Sequence, residues 1–369
     1  MSIQAAQRMG LRCLSIDPSL QSPSSRIAES LQAELDDPEA LVEVLSRCHR
    51  VTLENEFVPA TSIQRALDAS GADPGILTPP LDSLATVQDK LLQRQALARA
   101  GVPSPRALAL EGDGSQAVRQ LGFPMVLKAR FGGYDGKGTR FVRDLEQLES
   151  LRAEWGNGGW LAEQFVEFRR ELAAMVFIGG QSRGTFPTME TIQVSHVCDL
   201  VFPCDADGSE IALAAVEAVG GMGLFGVELF ELENGNILVN ELAPRPHNTG
   251  HYTLDWGGVS QFEQHVRLVM GWPAVEPLGW ATCMANLLGI QPSGDYRKGI
   301  EAALKDPEVR VHWYEKEPAR HGRKMGHLNV PGRSWGYSPQ ETPSLVRRAR
   351  EARDRFYEAW AEHAGQQVE

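Results

Sequence analysis

Between residues 227 and 245 the chain reads VELFELENGNILVNELAPR, two runs of alternating apolar and polar residues around Asn234-Gly235. An Asn-Gly pair favours a type I′ hairpin turn, because both central positions need positive φ. A two-residue turn there sets Glu233 opposite Asn236, Leu232 opposite Ile237, Phe230 opposite Val239 and Glu228 opposite Glu241. Two facing carboxylates, with Cβ atoms about 5 Å apart, cannot both stay ionised cheaply unless a cation lies between them or one takes up a proton. The competing reading is an edge hairpin whose glutamates splay into water. In the expected register, however, Phe230, Val239, Leu232 and Ile237 share the face of the two acids, so the pair ends an apolar stripe. A divalent cation resolves the repulsion, and Mg²⁺ commonly shares carboxylate ligands with substrate phosphates.

A second stretch bears on the same chemistry. FGGYDGKG, residues 131–138, places four glycines, Tyr134, Asp135 and Lys137 between the strand-like runs 123–128 and 139–142. Glycine lets backbone N–H groups approach an anion closely. The spacing is not that of a P-loop, because three residues separate Gly132 from Gly136 and Gly138 stands where a Ser or Thr is required. A flexible hairpin tip without any ligand reads equally well from these residues alone. GMGLFG at 221–226 matches a dinucleotide-binding pattern but precedes a strand and opens no helix, so it is a helix end and strand entry.

The chain has 369 residues, 42% of them apolar, enough for two or three cores. Its 48 acidic and 36 basic residues give a net charge of −12, which argues against nucleic-acid or anionic-membrane surfaces and for small-molecule partners. Five cysteines without a C-x-x-C pair read as reduced thiols of a cytosolic protein. Helical and strand patterns alternate over 1–87, with a strand expected over RVTLENEFV, 50–58. One helix is expected over 85–101, ATVQDKLLQRQALARAG, stopping at Gly101 before Pro103 and Pro105. The segment 88–270 is strand-rich, and 271–369 ends in a charged amphipathic helix. His247 and His251 are four apart, but their segment is broken by Pro and Gly, which speaks against a helical zinc site.

Taken together, GGYDGKG at 132–138, AEQFVEFRRE at 162–171, VNELAPRPHNTGHYT at 239–253 and HWYEKEPARHGRKMGHLN at 312–329 resemble the N5-carboxyaminoimidazole ribonucleotide synthase family of ATP-grasp enzymes. The resemblance implies a mixed α/β and α+β fold: a Rossmann-like pre-ATP-grasp unit over 1–87, an ATP-grasp unit over 88–270 and a small unit over 271–369. It implies carboxylation of 5-aminoimidazole ribonucleotide by bicarbonate with ATP and Mg²⁺, in the cytoplasm, by a homodimer. Lys90 and Lys128 then meet the ATP phosphates, and the loop Gly133, Tyr134, Asp135, Gly136, Lys137, Gly138, Thr139 closes over them. Glu163, Gln164, Phe165 and Val166 hold adenine through their backbone, Glu171 the ribose, and Gln193, Asn240 and Glu241 complete the nucleotide site. Glu228 and Glu241 are the metal ligands. Arg245 stabilises the transferring group, while Tyr134 and Asp135 also meet the aminoimidazole. Lys316, Arg323 and Lys324 clamp the ribonucleotide phosphate, and Glu54 or Glu56 approaches that substrate from the first unit.

Three departures from the family pattern matter. Ala243 replaces an Asn that often completes the metal shell, and Gln193 replaces a His. The family's opening strand and glycine loop have no counterpart, so the chain is expected to start roughly 15 to 25 residues into the family pattern and to leave a gap in its first sheet. A related purine transformylase and a nucleotide-binding protein without turnover are the alternatives.

Overall fold

The computed structural model describes residues 1–133, 136, 138–155, 159–290 and 294–362. Tyr134, Asp135 and Lys137, each expected in the site, lie outside the described residues. The first unit runs α1 (Ser2–Arg8), β1 (Leu14–Asp17), β2 (Glu29–Gln32), α2 (Pro38–Arg47), β3 (Val51–Thr52), α3 (Ala60–Ser70), β4 (Leu77–Thr78) and α4 (Leu81–Gln88). Helix α2 covers the expected PEALVEVLSR run: Asp37 caps it by accepting from Ala40 N at 2.9 Å, and Pro38 opens its first turn. The strand expected over 50–58 is only two residues long, and Leu53 to Val58 form bends and irregular backbone.

Strands β1 and β2 pair in parallel, as do β3 and β4, but the two pairs form separate sheets. A cavity of about 760 Å³ is lined by Leu14 and Ile16 of β1, Val51 and Thr52 of β3, and Ile3 and Ala6 of α1. The two pairs are not joined into one sheet. Parallel strands are normally buried in larger sheets covered on both faces, and here they form two short, separate pairs.

A four-stranded antiparallel sheet follows, in the order β5-β8-β6-β7. Its elements are α5 (Lys90–Arg99), β5 (Ala107–Ala109), α6 (Ser115–Leu121), β6 (Met125–Ala129), β7 (Thr139–Val142), α7 (Leu145–Ser150), α8 (Arg152–Trp155) and β8 (Trp160–Gln164). Met125, Leu127, Val142 and Trp155 fill its core beneath the helices.

The fourth sheet has nine strands. Its elements are β9 (Arg170–Gly179), β10 (Ser182–Thr185), β11 (Met189–Val194), β12 (Val197–Pro203), α9 (Ser209–Ala218), β13 (Gly223–Glu231), β14 (Ile237–Ala243), α10 (Gln261–Val269), β15 (Trp280–Leu288), α11 (Tyr296–Ala303), β16 (Arg310–Trp313), β17 (Lys324–Trp335) and α12 (Thr342–Glu362). The order is β14-β13-β9-β11-β12-β15-β17-β16, with β10 on β9, so strands from beyond residue 271 extend the sheet begun before it. Alternation along β9 sends Leu172, Ala174 and Val176 to the face packed by α9, and Met175 and Phe177 to the core that contains Tyr252 and Trp256. With both faces covered, the sheet is a rigid floor, and β14 is one of its edges.

Candidate active site

The site begins at a helix break. In place of one helix over 85–101, α4 ends at Gln88 and α5 starts at Lys90, because Asp89 acts as a cap. Its buried carboxylate accepts from Leu91 N at 3.0 Å and Leu92 N at 3.4 Å, and Arg130 binds it through Nε at 3.0 Å. The periodic apolar pattern continues through Asp89, which is why pattern alone reads one helix. The break places the Lys90 ammonium against the Glu241 carboxylate.

Glu228 and Glu241 are direct cross-strand partners, as the hairpin register predicts. They reach that position by a different route. The loop has three residues, Glu233, Asn234 and Gly235, closed by Gly235 N to Leu232 O at 2.9 Å and Leu232 N to Asn236 O at 2.8 Å. Only Gly235 has positive φ, at 82°, so the turn is not type I′; the Asn234 side chain instead accepts from Asn236 N at 3.0 Å. The partners nearer the turn are therefore Leu229 with Val239, Phe230 with Leu238 and Glu231 with Ile237. A bulge at Asn240 absorbs the extra residue and returns Glu241 to Glu228.

The expected apolar stripe is corrected accordingly. Val239 lies fully buried with Leu229 in the opposite core. On the acids' side stand Phe230, stacked on Phe168 with centroids 4.5 Å apart, and Leu238.

The two acids divide the electrostatic work between them. The Glu228 side chain keeps 31% of its surface exposed and that of Glu241 keeps 41%. Burial, followed by the neighbouring Glu241 and Glu171, pushes the Glu228 carboxyl up to about 7. Burial also opposes ionisation of Glu241, but Lys90 and Lys128 overcome it and hold that carboxyl below its ordinary value. His247 Nε2 lies 3.7 Å from Glu228, and burial together with Arg245 keeps the imidazole neutral. Repulsion within the pair is thus relieved by a proton on one acid and a lysine on the other. Among the described residues no group of three or more His, Cys, Asp or Glu side chains could hold a metal. A two-carboxylate site fits Mg²⁺ only when phosphate oxygens complete its shell.

The opposite wall comes from the four-stranded sheet. Glu163 on β8 is buried, with Arg94 Nε at 2.6 Å and Lys128 Nζ at 2.7 Å. Burial opposes its ionisation, yet these two cations bring it down to about 2. Burial raises the Glu171 carboxyl, which is hydrogen-bonded to Gln193. Phe165 packs edge-on to Phe141 at 5.0 Å, and Gln164 N donates to Arg106 O at 2.8 Å. The ends of the glycine loop are tied to β6, where Thr139 pairs Lys128 and Ala129 N donates to Gly138 O at 2.8 Å. Gly136, with φ of 75°, is pressed against His196, and a Cβ there would fall 2.7 Å from the ring.

Beyond the acids lies a second charged cluster. Arg245 grips Glu56 through two nitrogens, one at 2.9 Å, joining the first unit to the end of β14. Glu54 lies close enough to act electrostatically on both Arg245 and Lys316. Lys316 donates to Lys324 O at 3.2 Å and stands 5.0 Å over the Tyr314 ring, while Arg323 NH1 reaches Glu317 O and Pro318 O, each at 3.1 Å. Sequence reasoning missed Asp89, Gln93 and Arg94. The available signal was polar side chains at positions where a helix against a sheet buries apolar ones.

Residues 1–88 match the ribonucleotide synthetase preATP-grasp domain, 95–262 the ATP-grasp domain and 282–337 the phosphoribosylaminoimidazole carboxylase C-terminal domain. The N5-carboxyaminoimidazole ribonucleotide synthase of Synechococcus elongatus is 36% identical over 350 residues, which cover 90% of this chain and 86% of that one. The chain belongs to the N5-carboxyaminoimidazole ribonucleotide synthase family.

It spans 64% of another relative, the Ogataea methanolica phosphoribosylaminoimidazole carboxylase, at 33% identity. Crystal structures of the family's Aspergillus clavatus member superpose at 27% identity. The ATP complex gives a TM-score of 0.84 and covers 97% of this chain and 95% of that one. The complex with ADP and 5-aminoimidazole ribonucleotide gives 0.83, covering 96% and 95%. The family is one of ATP-grasp ligases, and the three-unit architecture seen here is its architecture.

Proposed function

We propose that this chain carboxylates the exocyclic amine of 5-aminoimidazole ribonucleotide with bicarbonate, consuming ATP and releasing ADP and phosphate, in purine biosynthesis. The observation that carries the reading is the Glu228–Glu241 pair flanked by Lys90 and Lys128. That is a site of cations and paired acids with no nucleophile, as phosphoryl transfer requires. Bicarbonate oxygen attacks the γ-phosphorus and ADP leaves. The resulting carboxyphosphate gives up phosphate as its carbon joins the amine nitrogen, which loses a proton.

Mg²⁺ held by Glu228 and Glu241 with phosphate oxygens would neutralise charge on the transferring group. Lys90, here on Glu241, would be available to the phosphates with that carboxylate engaged by the metal, and Lys128 would meet them from β6. The backbone of Glu163, Gln164, Phe165 and Val166 binds adenine, and Glu171 with Gln193 binds ribose. Asn240 adjoins the phosphates beside Glu241. Gly133, Gly136, Gly138 and Thr139 flank the phosphates, with Lys137 among them. Arg245, oriented by Glu56, faces the carboxyphosphate, and Tyr134 and Asp135 meet the aminoimidazole. Lys316, Arg323 and Lys324 hold the 5′-phosphate, and Glu54 stands beside them.

The functional units are 1–87, 88–270 and 271–369, and the working form is a cytoplasmic homodimer. Among the described residues no helix is long and apolar enough to cross a membrane. The test is ADP release in mixtures of ATP, bicarbonate and the ribonucleotide. Release only when all three are present supports the reading. Equal release without the ribonucleotide, or with formate replacing bicarbonate, refutes it.

A further inference from the structure

Strand β14 is a sheet edge, and its bulge at Asn240 interrupts the ladder on the other side as well. An edge leaves backbone groups without strand partners, and a bulge loosens the local register. Two consecutive side chains of α5 straddle this weak point. Arg94 NH1 donates to Val239 O at 3.1 Å, and Gln93 Oε1 accepts from Leu242 N at 3.3 Å. Gln93 is itself fixed by Nε2 to Val87 O at 3.3 Å.

Arg94 does more than cover the edge. Its Nε also binds Glu163 on β8 at 2.6 Å, and both side chains are only 4% exposed. One guanidinium thereby joins the nine-stranded sheet to the four-stranded sheet, the two walls of the site. Arginine's planar fork of donors serves two partners at once, whereas an ammonium at the same place has neither the reach nor the geometry. The other Glu163 oxygen takes Lys128, so Arg94 shares the carboxylate that would otherwise belong to Lys128 alone.

We propose that Arg94 is a positioning residue for ATP. It fixes the bulge that turns Glu241 towards Glu228, holds β8 at its distance from β14, and takes one oxygen of Glu163, so that Lys128 holds only the other and can be exchanged to phosphate. This rests on the ATP reading above and adds a residue to it. Without Arg94, Lys128 is the sole cation on the buried Glu163 carboxylate and is held there more tightly, and the adenine-binding backbone loses its register with the acid pair. The ribonucleotide phosphate, at the other end of the cleft, is unaffected.

The test uses Arg94→Lys, Arg94→Met and the double variant Arg94→Met/Glu163→Gln, which removes the buried carboxylate that loss of Arg94 leaves with Lys128 alone and so recovers folding. Measured are MgATP binding by calorimetry, KM for each substrate and the thermal midpoint. Arg94→Lys is expected to weaken ATP by about tenfold, with the KM for ribonucleotide within about twofold. The double variant is expected to regain thermal stability but not ATP affinity. Wild-type ATP affinity in Arg94→Lys or in the double variant, or equal loss for both substrates, overturns the proposal and leaves Arg94 a purely structural ion pair. Wild-type protein that binds no MgATP refutes the ATP reading, and the positioning role with it.

Discussion

Around the paired acids, Lys90, Lys128 and Arg94 each meet a carboxylate, whereas Lys316 and Arg323, on the segment that closes the other end of the cleft, donate to backbone carbonyls. The first cluster is neutralised before any ligand arrives. On the function proposed above, a nucleotide with its metal would enter this cluster by exchange, with Glu241 passing from Lys90 to the metal and Lys90 from Glu241 to phosphate. The second cluster holds concentrated positive charge within a chain of net charge −12. Such a patch attracts a phosphate and is stabilised by it. The difference shows what each ligand must bring. On that reading ATP would bring a cation to be bound beside two acids, while a phosphomonoester would bring its own negative charge to Lys316 and Arg323.

The comparison breaks most visibly if the acids are dispensable. Glu241→Gln and Glu228→Gln are each expected to lower kcat by about 10² or more through lost charge stabilisation. Their stabilities should diverge. With its carboxyl raised to about 7, Glu228 is about half protonated near pH 7, so Gln resembles one of its two resting forms and the thermal midpoint should change little. Glu241→Gln strands Lys90 and should lower the midpoint. Turnover near wild type in either variant, at saturating Mg²⁺, would remove the pair from the metal site.

How much of this site was legible in the sequence is seen best in that same hairpin. Opposing Glu228 and Glu241 follows from Asn234-Gly235, yet the pairing is reached through a loop one residue longer than expected and a bulge one residue before Glu241. Two departures cancel at the acids and fail to cancel at Val239, which changes face. A period-two pattern cannot register a bulge, and the backbone on either side of this one is hydrogen-bonded by side chains of another element, Gln93 and Arg94. Helix periodicity likewise runs straight through Asp89, whose capping role depends on Arg130 some forty residues away. Local elements with their own caps, such as α2, were fully readable. The split first sheet was anticipated through family resemblance, not from residue pattern, since β3 carries only two paired residues and RVTLENEFV reads as a longer strand.

Arg323→Ala sharpens the contrast from the other side. Its bonds to Glu317 O and Pro318 O shape the turn that presents it, so the variant loses a phosphate contact and some order in that turn. The KM for ribonucleotide is expected to rise by about tenfold with kcat nearly unchanged, the signature of lost ground-state binding. The KM for ATP should stay within about twofold. Parallel rises for both substrates would mean that the two clusters act as one.

The smallest effect is one of pH. Burial first, then Arg323 and Lys324, bring the Lys316 ammonium down to about 8, with only Glu54 opposing. Below that value Lys316 is charged and binds phosphate; above it the charge is lost. The kcat/KM for ribonucleotide should therefore be flat near pH 7 and fall several-fold as pH rises past 8, while kcat/KM for ATP does not follow. Stability moves the opposite way. Between about 8 and the ordinary lysine value near 10.4, the unfolded chain binds the proton that the folded chain has released, so this group's contribution to stability rises with pH. Arg stays charged throughout, so Lys316→Arg should abolish both trends, flattening the alkaline limb of the rate profile and removing the rise in thermal midpoint relative to wild type. A limb that survives in Lys316→Arg would assign the titration to another group and leave the phosphate clamp resting on Arg323 and Lys324.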